Sequence, residues 1–142
     1  MAKMNPYLNF DGQAEEAFNL YKAVFGGEFL MVSRMSDGPG MENVPENEKN
    51  RIMHISLPIN ADTILMASDI LPSFGHVLNK GNSMYISVHT ESREEADRLF
   101  KGLSEGGEIE MPMEDAFWGD YFGSFADRFG IRWMINYSTQ QH

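Results

Sequence analysis

A repeat is the feature that most limits what this chain can fold into. Two stretches of helical periodicity each run into Gly-Gly-Glu and then into an apolar segment. The first is Gly26-Gly27-Glu28 followed by Phe29, Leu30, Met31 and Val32; the second is Gly106-Gly107-Glu108 followed by Ile109, Glu110 and Met111. The order of elements around each stretch is the same. In the first half, residues 4–10 alternate Pro6, Leu8 and Phe10 against Asn5, Tyr7 and Asn9, the period of a half-buried strand. Ala14, Ala17, Phe18, Tyr21 and Phe25 then recur at helical spacing, which predicts a helix over 13–25 stopped by the glycine pair. Strands are predicted at 28–35, 51–59 and 62–69, the last two forming a hairpin across Asn60-Ala61-Asp62. Segment 36–50 has no periodicity and reads as a mobile loop.

After a linker at 71–82 the order returns. Residues 83–90 alternate Met84, Ile86 and Val88 against Ser83, Tyr85, Ser87 and His89. Ser92 with Glu95 three positions on predicts a capping box for a helix over 92–105, whose apolar stripe is Ala96, Leu99, Phe100 and Leu103. Strands follow at 108–113, 120–126 and 131–137. Each half is therefore strand, helix, strand, strand, strand. The expectation is an α+β chain, one domain over 1–142 containing two βαβββ modules at 1–70 and 83–137. A module can bury one sheet face under its own helix, so the opposite faces are predicted to meet across a cavity or another subunit.

Composition removes several classes of function. Apolar residues make up 42% of the 142 residues and charged residues 23%, a globular balance. A net charge of −10 with no Lys or Arg run argues against nucleic acid and anionic membranes as partners. No apolar stretch reaches the roughly 20 residues of a membrane span. The start, MAKMNPYLNF, has no apolar core of a secretion signal, and there are no cysteines; both fit a cytoplasmic protein. Without cysteine there is neither a disulfide nor a thiolate metal ligand nor a cysteine nucleophile.

Two segments carry a family resemblance: PYLNFDGQAEEAFNLYKAVFGGE near the start and FWGDYFGSFADRFGIRWMINYSTQQ near the end. Through Phe117-Trp118, Phe122-Gly123, Asp127, Phe129-Gly130 and Trp133-Met134-Ile135-Asn136 the chain resembles the vicinal-oxygen-chelate superfamily of glyoxalases, bleomycin-resistance proteins and dioxygenases, and within it the PhnB-like branch. The resemblance spans nearly the whole chain. It implies a curved eight-stranded mixed sheet enclosing a small-molecule pocket, and a homodimer. Members of this branch are often described as demethylubiquinone methyltransferases. The chain offers no strand–glycine turn–helix loop of the nucleotide-binding kind, since its Gly-Gly pairs follow helices.

The resemblance also implies a divalent-metal site, with His, Gln or Glu ligands from the first, fourth, fifth and eighth strands. Aligned on periodicity, those positions hold Asn5, then Met66, Ser68 or Asp69, then Ser83, then Met134. An amide, a hydroxyl and a thioether are poor ligands for such ions, so no cofactor is predicted and the Lewis-acid chemistry of metal-dependent relatives loses its centre. The alternative is a relocated divalent metal held by His54, His89 and either Asp69 or Glu114. A second alternative is a homodimeric interaction module with a vestigial pocket.

Alternation marks the pocket candidates: Asn5, Tyr7 and Asn9; His54 and Ser56; Ser83, Tyr85, Ser87 and His89; and Arg132, Met134 and Asn136. Polar residues on the inner face of several strands need water or a ligand. Trp118, Tyr121 and Phe122 belong to an aromatic loop that either caps the pocket or packs at a dimer seam. Trp133 alternates to the helix side and reads as core. Glu114-Asp115 with Asp120 reads as a solvated acidic face, and most of the eleven methionines as strand-filling core. The expectation is a metal-free pocket for an unidentified small molecule.

Overall fold

The computed structural model describes residues 2–138; the last three residues of the second quoted segment, 139–141, lie outside them. The elements are β1 (Tyr7–Phe10), α1 (Ala14–Phe25), β2 (Met31–Arg34), β3 (Ile52–Pro58), β4 (Ile64–Asp69), β5 (Ile86–His89), α2 (Arg93–Ser104), β6 (Glu108–Asp115), β7 (Asp120–Ala126) and β8 (Arg132–Ser138), with short 3-10 turns at 35–37, 46–48 and 72–74. The eight strands divide between two four-stranded mixed sheets, ordered β1-β4-β3-β2 and β5-β8-β7-β6. In each sheet the first strand runs parallel to the last and the other pairs are antiparallel. The repeat is thus a repeat of topology. Residues up to Asn79 form one compact unit and those from Lys80 a second.

In the first unit the alternation of β1 holds, with Leu8 and Phe10 buried and Tyr7 and Asn9 exposed. Leu8, Phe10, Ile55, Leu57, Leu65 and Ala67 form its core with Ala14, Ala17, Phe18 and Tyr21 of α1. Phe18 sits edge-on to both Phe10 and Tyr21, at 6.4 and 5.4 Å between ring centroids. Loop 36–50 is not bare of core: Val44 is buried with Met35 and Leu71, and Met41 and Met53 pack on them.

The second unit repeats the plan. The stripe expected for α2 is the one buried, Ala96, Leu99, Phe100 and Leu103, against Phe125, Trp133 and Ile135. Phe100 and Phe125 meet edge to face at 5.0 Å. Ser92 caps α2 by accepting from Glu95 N at 3.1 Å, while the Glu95 carboxylate takes the N–H of Glu91 rather than that of Ser92. Trp133 is core, its indole N–H donating to Asp127 at 2.9 Å; the same carboxylate closes the β7–β8 turn by accepting from Phe129 N and Ile131 N.

Both glycine pairs end their helices, with Gly26 at φ +85° and Gly106 at φ +79°, conformations that favour glycine. The second members differ. Gly27 has φ +86°, whereas Gly107 needs its missing side chain for space: a Cβ there would lie 2.1 Å from the Ala126 carbonyl oxygen.

Candidate functional site

Each sheet carries an equivalent row of residues on its face away from its own helix. In the first, a row runs Tyr7, Met66, Ser56, Met31; in the second, Ser87, Met134, Ser124, Met111. Ser56 and Ser124 are buried between their methionines. The same register pairs Asn5 with Tyr85 as counterparts, not with Ser83, which is exposed and lies ahead of β5.

The predicted site residues separate into groups. In the first unit Tyr7 and His54 meet, with Tyr7 Oη 3.3 Å from His54 Nδ1 and ring centroids 5.8 Å apart. Asn9 is exposed on the same face, and Ser56 is buried. Asn5 turns to a structural task, its Oδ1 accepting from Ile64 N at 2.9 Å. In the second unit Ser87 Oγ lies 3.3 Å from His89 Nε2, and Asn136 is buried beside Met134. Tyr85 and Arg132 converge on Glu110: Tyr85 Oη donates to Oε1 at 2.8 Å and Arg132 donates to Oε2 at 2.5 Å. Tyr121 falls on the helix side instead. It donates to Asp97 of α2 at 2.6 Å and lies under the Arg93 guanidinium, 4.5 Å from the ring centroid.

That hydrogen bond, with some burial, holds the Tyr121 phenol above its ordinary pKa, while nearby Arg93 opposes the shift less strongly. A folded-state pKa raised above the unfolded one gives stability that is complete below the unfolded value and is lost as pH rises through the folded one. Site-resolved NMR titration should therefore find Tyr121 ionising later than an ordinary tyrosine, and Asp97→Ala should move it down. An unshifted titration in the wild type would contradict this geometry.

The residues named for a relocated divalent ion do not come together within either unit. Among the described residues no three His, Cys, Asp or Glu side chains converge as a metal-holding group. Asp69 is buried and already accepts three backbone N–H groups: Gly12 at 2.9 Å and Ala14 at 3.0 Å on Oδ1, and Ile52 at 2.8 Å on Oδ2. It shares the helix-side face of β4 with Leu65 and Ala67, opposite to the face of His54. His89 and Glu114 share a face but lie on opposite edge strands, three strand spacings or about 14 Å apart.

Contrary to the expectation from sequence, a strand–glycine–helix turn is present, Phe10 to Ala14 through Gly12 at φ +88°. Its amides are where a phosphate would bind at a helix N-terminus, and Asp69 occupies those of Gly12 and Ala14.

A cavity of about 250 Å³ lies where β6 turns into β7, lined by Glu110, Met111, Glu114, Phe117, Trp118 and Phe122 among others. Trp118 packs edge-on against Phe117 at 5.1 Å and against Phe122 at 6.4 Å. Phe117 is 97% exposed and Trp118 49%. Of these residues the sequence singled out Trp118 and the aromatic loop, read Glu114 as a solvated acidic face or an alternative metal ligand, and left Glu110 unmarked; Met111, read as strand-filling core, is exposed. Pro112 was the available signal, since proline within a strand marks a bulge or an edge. The register of β6 slips twice, between Ile109 and Met111 and between Met111 and Glu114. The slips bring consecutive residues, Glu110 and Met111, to the face away from the helix.

Comparison with known proteins agrees with this architecture. A solved protein from Pseudomonas aeruginosa, PA1353, is 36% identical with a TM-score of 0.87, covering 99% of this chain and 100% of that one. A PhnB protein from Bacillus cereus is 26% identical with a TM-score of 0.76 over 96% of this chain and all of its own. The fold alone is shared with a glyoxalase/bleomycin resistance protein from Albidiferax ferrireducens T118, at 17% identity and a TM-score of 0.62 over 94% of this chain and 95% of that one. The family model described as 3-demethylubiquinone-9 3-methyltransferase matches residues 2–136. The chain belongs to that family, the PhnB-like family, and has the fold of glyoxalase/bleomycin resistance proteins.

Proposed function

We propose that this chain is a binding protein that takes up a small molecule in the cavity at the β6–β7 turn without a metal ion. The cavity carries the reading: it joins an aromatic and thioether wall to a few placed carboxylates, the usual make-up of a ligand site. Trp118 and Phe117 are large apolar side chains left in water, a cost that ligand contact would recover. The metal-free part rests on donor chemistry. Asp69 is committed to the backbone, His89 and Glu114 sit on opposite edge strands, and among the described residues no three His, Cys, Asp or Glu side chains converge. The methyl transfer named in the family description is not our reading. The turn best placed to bind a nucleotide-type methyl donor is filled by Asp69, and Ser92 caps the N-terminus of α2.

The test is a thermal-shift screen of a metabolite and drug library in the presence of a chelator. Binders should raise the melting temperature of wild-type protein, and Trp118→Ala should abolish the rise while leaving the ligand-free melting temperature nearly unchanged. Shifts that need added divalent metal, or that survive Trp118→Ala, would overturn the proposal.

A further inference from the structure

The wall of this cavity is one-sided in charge. It holds three carboxylates, Glu110, Glu114 and Asp115, and no Lys, Arg or His. Two of the three are neutralised from outside the wall. Both Glu110 oxygens are taken, by Tyr85 and Arg132, and Asp115 is paired with Arg93. The Glu114 carboxylate has no hydrogen-bond or ion-pair partner among the described residues. The register sets it directly across from Phe122 on the same sheet face. Trp118 is tilted 60° to Phe122 and 85° to Phe117, so the three rings present faces in different directions. Ring faces are electron-rich and attract cations. A free carboxylate beside aromatic faces is poor at holding a hard metal ion, which wants several oxygens, and it repels anions.

We infer that the ligand of this cavity carries a positively charged nitrogen, an organic ammonium group seated against Trp118 and Phe122 and charge-matched by Glu114. The inference rests on the binding role proposed above and narrows it to a ligand class. The chain's overall charge of −10 favours the approach of such a ligand at long range.

The probes are choline and its uncharged carbon isostere, 3,3-dimethylbutan-1-ol, titrated by calorimetry and by the Trp118 indole N–H resonance. Trp133, buried and bonded to Asp127, serves as the internal reference. Choline should bind and shift Trp118 but not Trp133, and the isostere should bind about tenfold more weakly. Glu114→Gln should weaken choline by about tenfold and leave the isostere unchanged. Glu114 is exposed, so this variant should fold normally, which an unchanged Trp133 resonance would show. Equal binding of the two probes overturns the cationic inference and leaves the binding role standing. No choline binding also overturns it, and if the chelated library yields no ligand either, both fall.

Discussion

Gly107→Ala should be the most damaging single-methyl change in the protein, at about 3 kcal/mol or more. The three atoms nearest the added Cβ are all backbone, the Ala126 oxygen at 2.1 Å and the Asp127 C and Cα at 2.8 and 2.9 Å, so no rotamer change can relieve it. The start of β6 must move off β7, and Glu108 pairs with Ala126 at that point. Gly27 holds the equivalent place in the first repeat, but its constraint is torsional: φ is +86° and the nearest atom, the Pro58 oxygen, is 3.6 Å from a built Cβ. Alanine there should cost only about 1–2 kcal/mol, the strain of a left-handed residue. Urea unfolding with an unchanged slope gives both values. Equal losses at the two positions would mean that β6 yields easily at Gly107.

Asp69→Ala should cost about 3–5 kcal/mol, because it strands buried donors that one carboxylate now serves. The side chain is 5% exposed and joins the β1–α1 turn, the end of β4 and the start of β3. It also supplies the cap that α1 lacks locally, since Gln13 makes no side-chain cap bond. Asp69→Asn should lose less, about 1–3 kcal/mol: its carbonyl can still accept, but its NH₂ group must face an N–H donor. Melting and urea curves distinguish the pair. An Asn variant as unstable as Ala would show that charge, rather than the number of acceptors, is what α1 requires.

These two positions also show what can be read from sequence alone. The Gly-Gly-Glu repeat and the helical stripes are local signals, and they led to two modules of identical strand order. Asp69 acts across 55 residues to reach Ala14, and no local pattern shows such a cap. Strand limits were drawn too wide at 4–10 and 83–90, where β1 and β5 begin only at Tyr7 and Ile86. Each is an edge strand paired on one side, so its length is set by the β4 or β8 residues that meet it rather than by its own alternation. Alternation also assumes an unbroken pleat. It put Tyr85, Arg132 and Asn136 on one face; in β6 the two slips break the pleat, so parity alone does not show that Glu110 and Met111 share a face. Tyr121 was grouped with Trp118 because both are aromatic and near in sequence; β7 begins at Asp120, and parity then sends Tyr121 to α2.

The most direct test of the account is a nitrogen–proton NMR map of the chelator-treated protein with a compound from the thermal-shift screen. A metal-free site at the β6–β7 turn predicts shifts concentrated at Glu114, Phe117, the Trp118 indole and Phe122, without added metal. Shifts that appear only with a divalent ion, or that centre on His54 or His89 while the β6–β7 turn stays silent, would contradict it.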